Sequence, residues 1–299
     1  MQKGNRVVRI NKAVELLSER QPIYFEFVEG AEAKGYDGGR AMAQTWADYI
    51  GYDIEHSPLD IPGLTAFMRG LVDGGPTRSG HRTPAVIVTL PVDGTSEQAV
   101  RANSWMIKQV LATGVHGLLL CHAETPEAVR AFVESARYSF HPAVGEELGA
   151  GRRGHGGQNR AAEVWGISVG DYFTRADPWP LNPHGELLLG IKVENTRALA
   201  NVEASTRVPG LAFAEWGPGD MGMSMGHPDQ HDEPYPPEMQ TARTRVIAAC
   251  KSAGLAFLEQ VSPENVTSRL DQGVMIGCGP QTRVAAEIGR KHTGRKMPW

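Results

Sequence analysis

Two carboxylates, Glu194 and Asp220, follow closely spaced apolar runs at 187–193 and 211–214, the second run delivering first Glu215 and then a Gly-Pro-Gly-Asp turn. Short aliphatic runs of this kind suit strands buried on both faces. The intervening segment, 196–205, has helical composition. The piece therefore reads strand–helix–strand, with an acidic group beyond the C-terminal end of each strand. Two carboxylates meeting there make a hard-oxygen site suited to Mg²⁺ or Mn²⁺, with Co²⁺ admissible. The alternative is that both merely cap helices.

A second constellation lies in YDIEHSPLD, residues 52–60. Strand alternation puts Asp53 and Glu55 on one face, and His56 follows where the strand ends. A histidine beside a carboxylate has its tautomer fixed and its basicity raised, which makes a general base near neutral pH. The plainer alternative is a histidine bonded at a strand end.

A dication held by two carboxylates keeps positions open for substrate. A 2-oxo acid fills two of them with its carboxylate and carbonyl oxygen, and the ion then stabilises an enolate. The turn before Asp220 would aim the amides of Gly219 and Asp220 at the substrate carboxylate, and Gly219 has no Cβ to block approach. Among the basic residues, Arg101, Lys192, Arg152 and Arg153 could each hold a carboxylate, although such residues are more often solvated. His122, just past a fourth strand-like run, is a candidate for a supporting or specificity role. A G-x-S-x-G elbow is absent, which disfavours serine hydrolase chemistry.

Positioning these groups requires a scaffold. Eight strand-like runs (22–28, 49–56, 84–90, 115–121, 187–193, 211–214, 255–259 and 274–278) alternate with helical segments. That alternation over 299 residues predicts one (β/α)₈ TIM barrel spanning 1–299, whose active site sits at the C-terminal ends of the strands. A doubly wound open sheet is the competing architecture, but its dinucleotide fingerprint is missing. The Gly-rich stretch 145–157 reads as a mobile or substrate-proximal loop. A formal net charge of −4 gives no footprint for nucleic acid. Three scattered cysteines suggest reduced core residues. No apolar run approaches membrane-spanning length, and the first twenty residues lack a signal-peptide core, so a soluble cytoplasmic protein is expected.

Five pieces, in order, carry a family resemblance: YDIEHSPLD, SWMIKQVLATGVHGLLL, ETPEAVRAFVESARYSF, IKVENTRAL and GPGDMGMSMG. With them the chain resembles the divalent-metal-dependent pyruvate aldolases of the HpcH/HpaI family from about residue 12 to about residue 289. The resemblance implies a (β/α)₈ barrel assembled as a hexamer, its last helix exchanged between subunits. It implies a metal pair Glu194 and Asp220, a base His56 oriented by Asp53, and carboxylate-binding amides at Gly219 and Asp220. The implied reaction is reversible cleavage of a 4-hydroxy-2-oxo acid to pyruvate and an aldehyde. Oxaloacetate decarboxylation, or trapping of the enolate by another electrophile, is the alternative. Three departures lie at the mouth. The third strand lacks the family's Arg, a role transferred here to Arg101. Lys192 stands where Gln is common, with a substrate-binding role implied. Cys121-His122 replaces Val-Pro.

Overall fold

The computed structural model describes residues 9–298. Nine parallel strands are present: β1 (Ile23–Phe27), β2 (Tyr49–Asp53), β3 (Ala85–Asp93), β4 (Gly117–Cys121), β5 (Pro178–Trp179), β6 (Leu187–Val193), β7 (Phe213–Trp216), β8 (Ala256–Gln260) and β9 (Val274–Cys278). Pairing runs β4-β3-β2-β1-β9-β8-β7-β6, and a β4–β6 ladder closes the ring. All eight expected strands are therefore in one closed barrel, with helices between them. The two-residue β5, unanticipated from sequence, pairs only with the start of β6.

Strand alternation divides the core in two. Inward-facing Phe25, Tyr49, Ile87, Leu188, Phe213 and Ile276 pack with Ala13, Val14, Leu16 and Leu17 of the helix Lys12–Ser18. That helix seals the N-terminal end of the barrel, leaving the other end open for chemistry. The outward-facing residues, such as Tyr52, Val86, Leu118 and Ile191, pack beneath the surrounding helices. Because both faces are covered, every residue of β6 is buried.

One expectation is corrected here. In the single chain the terminal helix Thr282–His292 packs on the barrel, with Ala285 and Ala286 fully buried. Beyond the packing, a buried charge cluster fastens it: Arg290 donates to the Trp46 carbonyl (2.9 Å), and Arg295 to Asp48 Oδ2 (2.7 Å). Burial alone would raise the Asp48 carboxyl, but Arg295, Arg290 and Lys12 hold it down to about 2. The Gly-rich stretch 145–157 follows the helix Pro126–Ala136 and so lies at the N-terminal end of the strands, away from the mouth. It is pinned there: Arg153 stacks on the Tyr138 ring at 4.4 Å and donates to the Tyr172 hydroxyl at 3.0 Å. Among the described residues, no helix is long and apolar enough to cross a membrane.

Candidate active site

The ends of β2, β4, β6 and β7 converge on one group of side chains. At β2, Asp53 Oδ1 accepts from the backbone N–H groups of Glu55 (2.8 Å) and His56 (3.3 Å), while Oδ2 lies 2.9 Å from His56 Nδ1. Burial pushes the Asp53 carboxyl up, but these hydrogen bonds outweigh it and hold the group below its ordinary value. In return, the bond to Asp53 raises the His56 imidazole above its ordinary value.

Lys192, on the last turn of the β6 ladder, joins this group to the next. Its Nζ donates to Glu55 Oε2 (2.7 Å) and lies 3.4 Å from Glu194 Oε2. Strand register sets it beside Glu215 of β7. Burial works against the ammonium, yet Glu215, Glu194 and Glu55 keep it firmly charged. Burial pushes Glu215 itself up to about 7. Its position past the apolar run was legible in the sequence, but nothing there indicated a carboxyl facing the barrel interior. Below these groups is a cavity of about 280 Å³, lined in part by Phe25, Tyr49, Thr89, Lys192 and Glu215.

Glu194 does not cap the helix that follows. Asn195 does, its Oδ1 accepting from the N–H groups of Arg197 and Ala198. Glu194, 1% exposed, instead turns inward. Its Oε1 accepts the His122 N–H at 2.7 Å, whereas Oε2 is buried with no hydrogen-bond partner. Burial raises this carboxyl above its ordinary value. Asp220 sits in the first turn of the helix Pro218–Ser224, where Gly217 is the capping residue and no side chain caps. The capping alternative is thus not realised for either residue. A donor atom from each of His122, Glu194 and Asp220 lies within 4.8 Å of the other two. Gly217 makes room for this arrangement, since a Cβ there would fall 2.9 Å from Glu194 Oε2.

These observations fit a divalent ion. A buried carboxylate oxygen without a hydrogen bond is costly; Glu194 Oε2 has only the Lys192 ammonium at 3.4 Å to offset it, and Glu194 with Asp220 supplies the oxygen donors such an ion takes. A neighbouring set, Glu55, Cys121 and Glu194, is also close. The buried Cys121 thiol donates to the Leu90 carbonyl (3.2 Å), and a soft sulfur is a poor match for a hard dication.

Not every expected residue arrives. The Arg101 guanidinium is held by Glu97 Oε1 (2.6 Å) and Glu134 Oε2 (2.9 Å). It lines a separate cleft with Lys108 and Arg152. Its helix, Glu97–Ala102, presents it to the helix Pro126–Ala136 rather than to the mouth. Lys192 arrives, but with its charge already claimed by three carboxylates. Gly219 and Asp220 place their N–H groups in the first turn, where a helix has no internal acceptor. A Cβ at Gly219 would meet only His231, at 3.9 Å, so protein packing does not demand glycine there.

A closed parallel barrel with convergent carboxylates and an oriented histidine at its C-terminal mouth is the architecture of a (β/α)₈ enzyme. More specifically, this chain belongs to the HpcH/HpaI aldolase/citrate lyase family, whose profile matches residues 82–275. The family's members make and break carbon–carbon bonds. A hydroxypyruvate/pyruvate aldolase of Cupriavidus necator is 31% identical over 250 residues, covering 82% of this chain and 78% of that protein. A 2-keto-3-deoxy-L-rhamnonate aldolase of Klebsiella pneumoniae is 31% identical over 218 residues, 73% of this chain and 69% of that one. Among solved structures, a family protein from Burkholderia cenocepacia superimposes with a TM-score of 0.69 at 22% identity, covering 94% of this chain and 96% of that one. At that identity the likeness speaks to the fold.

Proposed function

We propose that the protein is a divalent-metal-dependent aldolase of the class II type, cleaving a 4-hydroxy-2-oxo acid to pyruvate and an aldehyde and catalysing the reverse addition. The observation that carries this reading is the buried Glu194 Oε2, which has no hydrogen-bond partner, in the carboxylate pair with Asp220 and linked through the Lys192 ammonium (3.4 Å) and Glu55 to the Asp53–His56 pair. Glu194 and Asp220 would hold the ion. When bound, Mg²⁺ or Mn²⁺ supplies a Lewis acid for the 2-oxo carbonyl and stabilises the negative charge that builds there.

The remaining work falls to the chain. The amides of Gly219 and Asp220 hold the substrate carboxylate. Asp53 fixes His56 through Nδ1, which leaves Nε2 to take the proton of the 4-hydroxyl as the C3–C4 bond breaks; C3 of the three-carbon fragment then takes up one proton to give pyruvate, and the addition direction reverses both transfers. Lys192 offsets the surrounding negative charge instead of clamping a substrate carboxylate. Assembly as a homohexamer in the cytoplasm belongs to the same proposal by family resemblance, and light scattering on the purified protein checks the mass.

The test is pyruvate release from a panel of 4-hydroxy-2-oxo acids, with Mg²⁺ or Mn²⁺ and then with a chelator. The expected result is release that requires the ion. Undiminished activity in chelator refutes the reading. Turnover of oxaloacetate with no retro-aldol activity on any panel member points to decarboxylation instead.

A further inference from the structure

His122 stands where the strand β4 ends, and its backbone is left-handed (φ 44°). Few residues with a Cβ adopt that conformation unless their surroundings enforce it. Here its N–H is committed to Glu194 Oε1, and the ring is carried to the same carboxylate, Nδ1 lying 3.5 Å from Oε1. The Asn195 side-chain amide is 3.3 Å from Nδ1 and is itself held by Glu124 Oε1 at 3.2 Å. The ring is therefore oriented by a neighbour that also caps the next helix. Independently, Glu194 Oε2 is buried without a hydrogen-bond partner, with the Lys192 ammonium 3.4 Å away, and a Glu194 oxygen lies within 4.8 Å of donor atoms of both His122 and Asp220.

We infer that His122 is a third protein ligand to the ion held by Glu194 and Asp220, and that it biases the site toward transition-metal dications and away from Mg²⁺. This rests on the metal site proposed above. The three donor atoms already lie within 4.8 Å of one another. Around a dication with bonds of roughly 2.1 Å, ligands are about 3.0 Å apart at adjacent positions and about 4.2 Å apart at opposite ones, so side-chain movements of about 1–2 Å close the set. A nitrogen donor favours first-row transition dications, Mn²⁺ least and Co²⁺ and Zn²⁺ more, whereas Mg²⁺ prefers oxygen donors and keeps its waters. Replacing two carboxylates plus water by two carboxylates plus imidazole thus changes which ion wins.

The experiment uses the full chain and the metals alone. His122→Asn keeps a residue that tolerates the left-handed backbone and exchanges the nitrogen for a hard oxygen. Calorimetric titration should show Mn²⁺ and Co²⁺ affinities falling by about tenfold or more, the scale on which metal-site partners act, with Mg²⁺ affinity changing by less than about threefold. Pulsed electron paramagnetic resonance of the Mn²⁺-loaded protein should show nitrogen coupling that disappears in the variant. Wild-type protein without nitrogen coupling, or a variant that loses all three ions equally, overturns the inference. Asp220→Ala separates the two levels. If it abolishes binding of every ion while His122→Asn changes nothing selectively, only the role of His122 fails. If Asp220→Ala leaves Co²⁺ binding intact, the underlying metal site fails as well. Thermal unfolding of each variant confirms that a folded protein is being titrated.

Discussion

His56 Nδ1 lies 2.9 Å from Asp53 Oδ2, and the same carboxylate accepts two backbone N–H groups through its other oxygen. Asp53 is thus fixed by the local chain and passes that fixity to the imidazole. Asp53 raises the His56 imidazole above its ordinary 6.5. For cleavage the histidine must be neutral, so the acid limb of kcat/KM should fall above pH 6.5. Asp53→Asn should move that limb down toward 6.5 and lower kcat/KM by about 10²- to 10³-fold. A pH–rate profile with an unmoved limb would mean another group titrates.

Lys192 lies among Glu55, Glu194 and Glu215, and with Glu55 and Glu215 it lines the cavity described above. Lys192→Gln should lower stability by about 3–5 kcal/mol, because it leaves buried carboxylates uncompensated. It should also tighten Mg²⁺ or Mn²⁺ binding by about tenfold, or ~1.4 kcal/mol, by removing a competing charge 3.4 Å from Glu194. Saturating metal should then restore part of the lost Tm. Calorimetry showing weaker metal binding in the variant would overturn this account.

Glu215 offers a stability test. Its carboxyl is raised from 4.5 to about 7 by burial, so the folded protein holds a proton that the unfolded chain releases across that interval. This contribution is fully present below pH 4.5 and is lost as the pH rises to about 7. Glu215→Gln cannot lose a proton and should flatten the Tm profile between pH 5 and 8. The same downward slope in both proteins would assign it to other groups.

Asp48 anchors the terminal helix through Arg290 and Arg295. Asp48→Ala removes the carboxylate shared by the buried Lys12, Arg290 and Arg295 and should cost about 3–5 kcal/mol, measured by denaturant unfolding. The native carboxyl sits near 2 against an ordinary 3.8, so its stabilisation is present above 3.8 and disappears as the pH falls through 2. A loss below about 1 kcal/mol would mean that apolar packing, rather than the charge cluster, holds the terminal helix on the barrel.

The periodicity of the chain was enough for eight strands, the helices between them and the order of the barrel, because buried parallel strands must be continuously apolar and their crossovers amphipathic. Residue spacing likewise brought out Asp53, His56, Glu194 and Asp220, each at or just beyond a strand's C-terminal end. What it could not supply was direction. Arg101 follows β3 in sequence, yet a helix of six residues turns it outward onto Glu97 and Glu134. Lys192 reads as a free cation until Glu55, 137 positions away, is folded against it. His122 read only as a supporting or specificity candidate until the barrel closed β4 against β6 and set its imidazole beside Glu194. Local pattern determines which residues end a strand. Which side chains meet is decided by ring closure and by competition among charges for partners, and both depend on contacts between residues far apart in the chain.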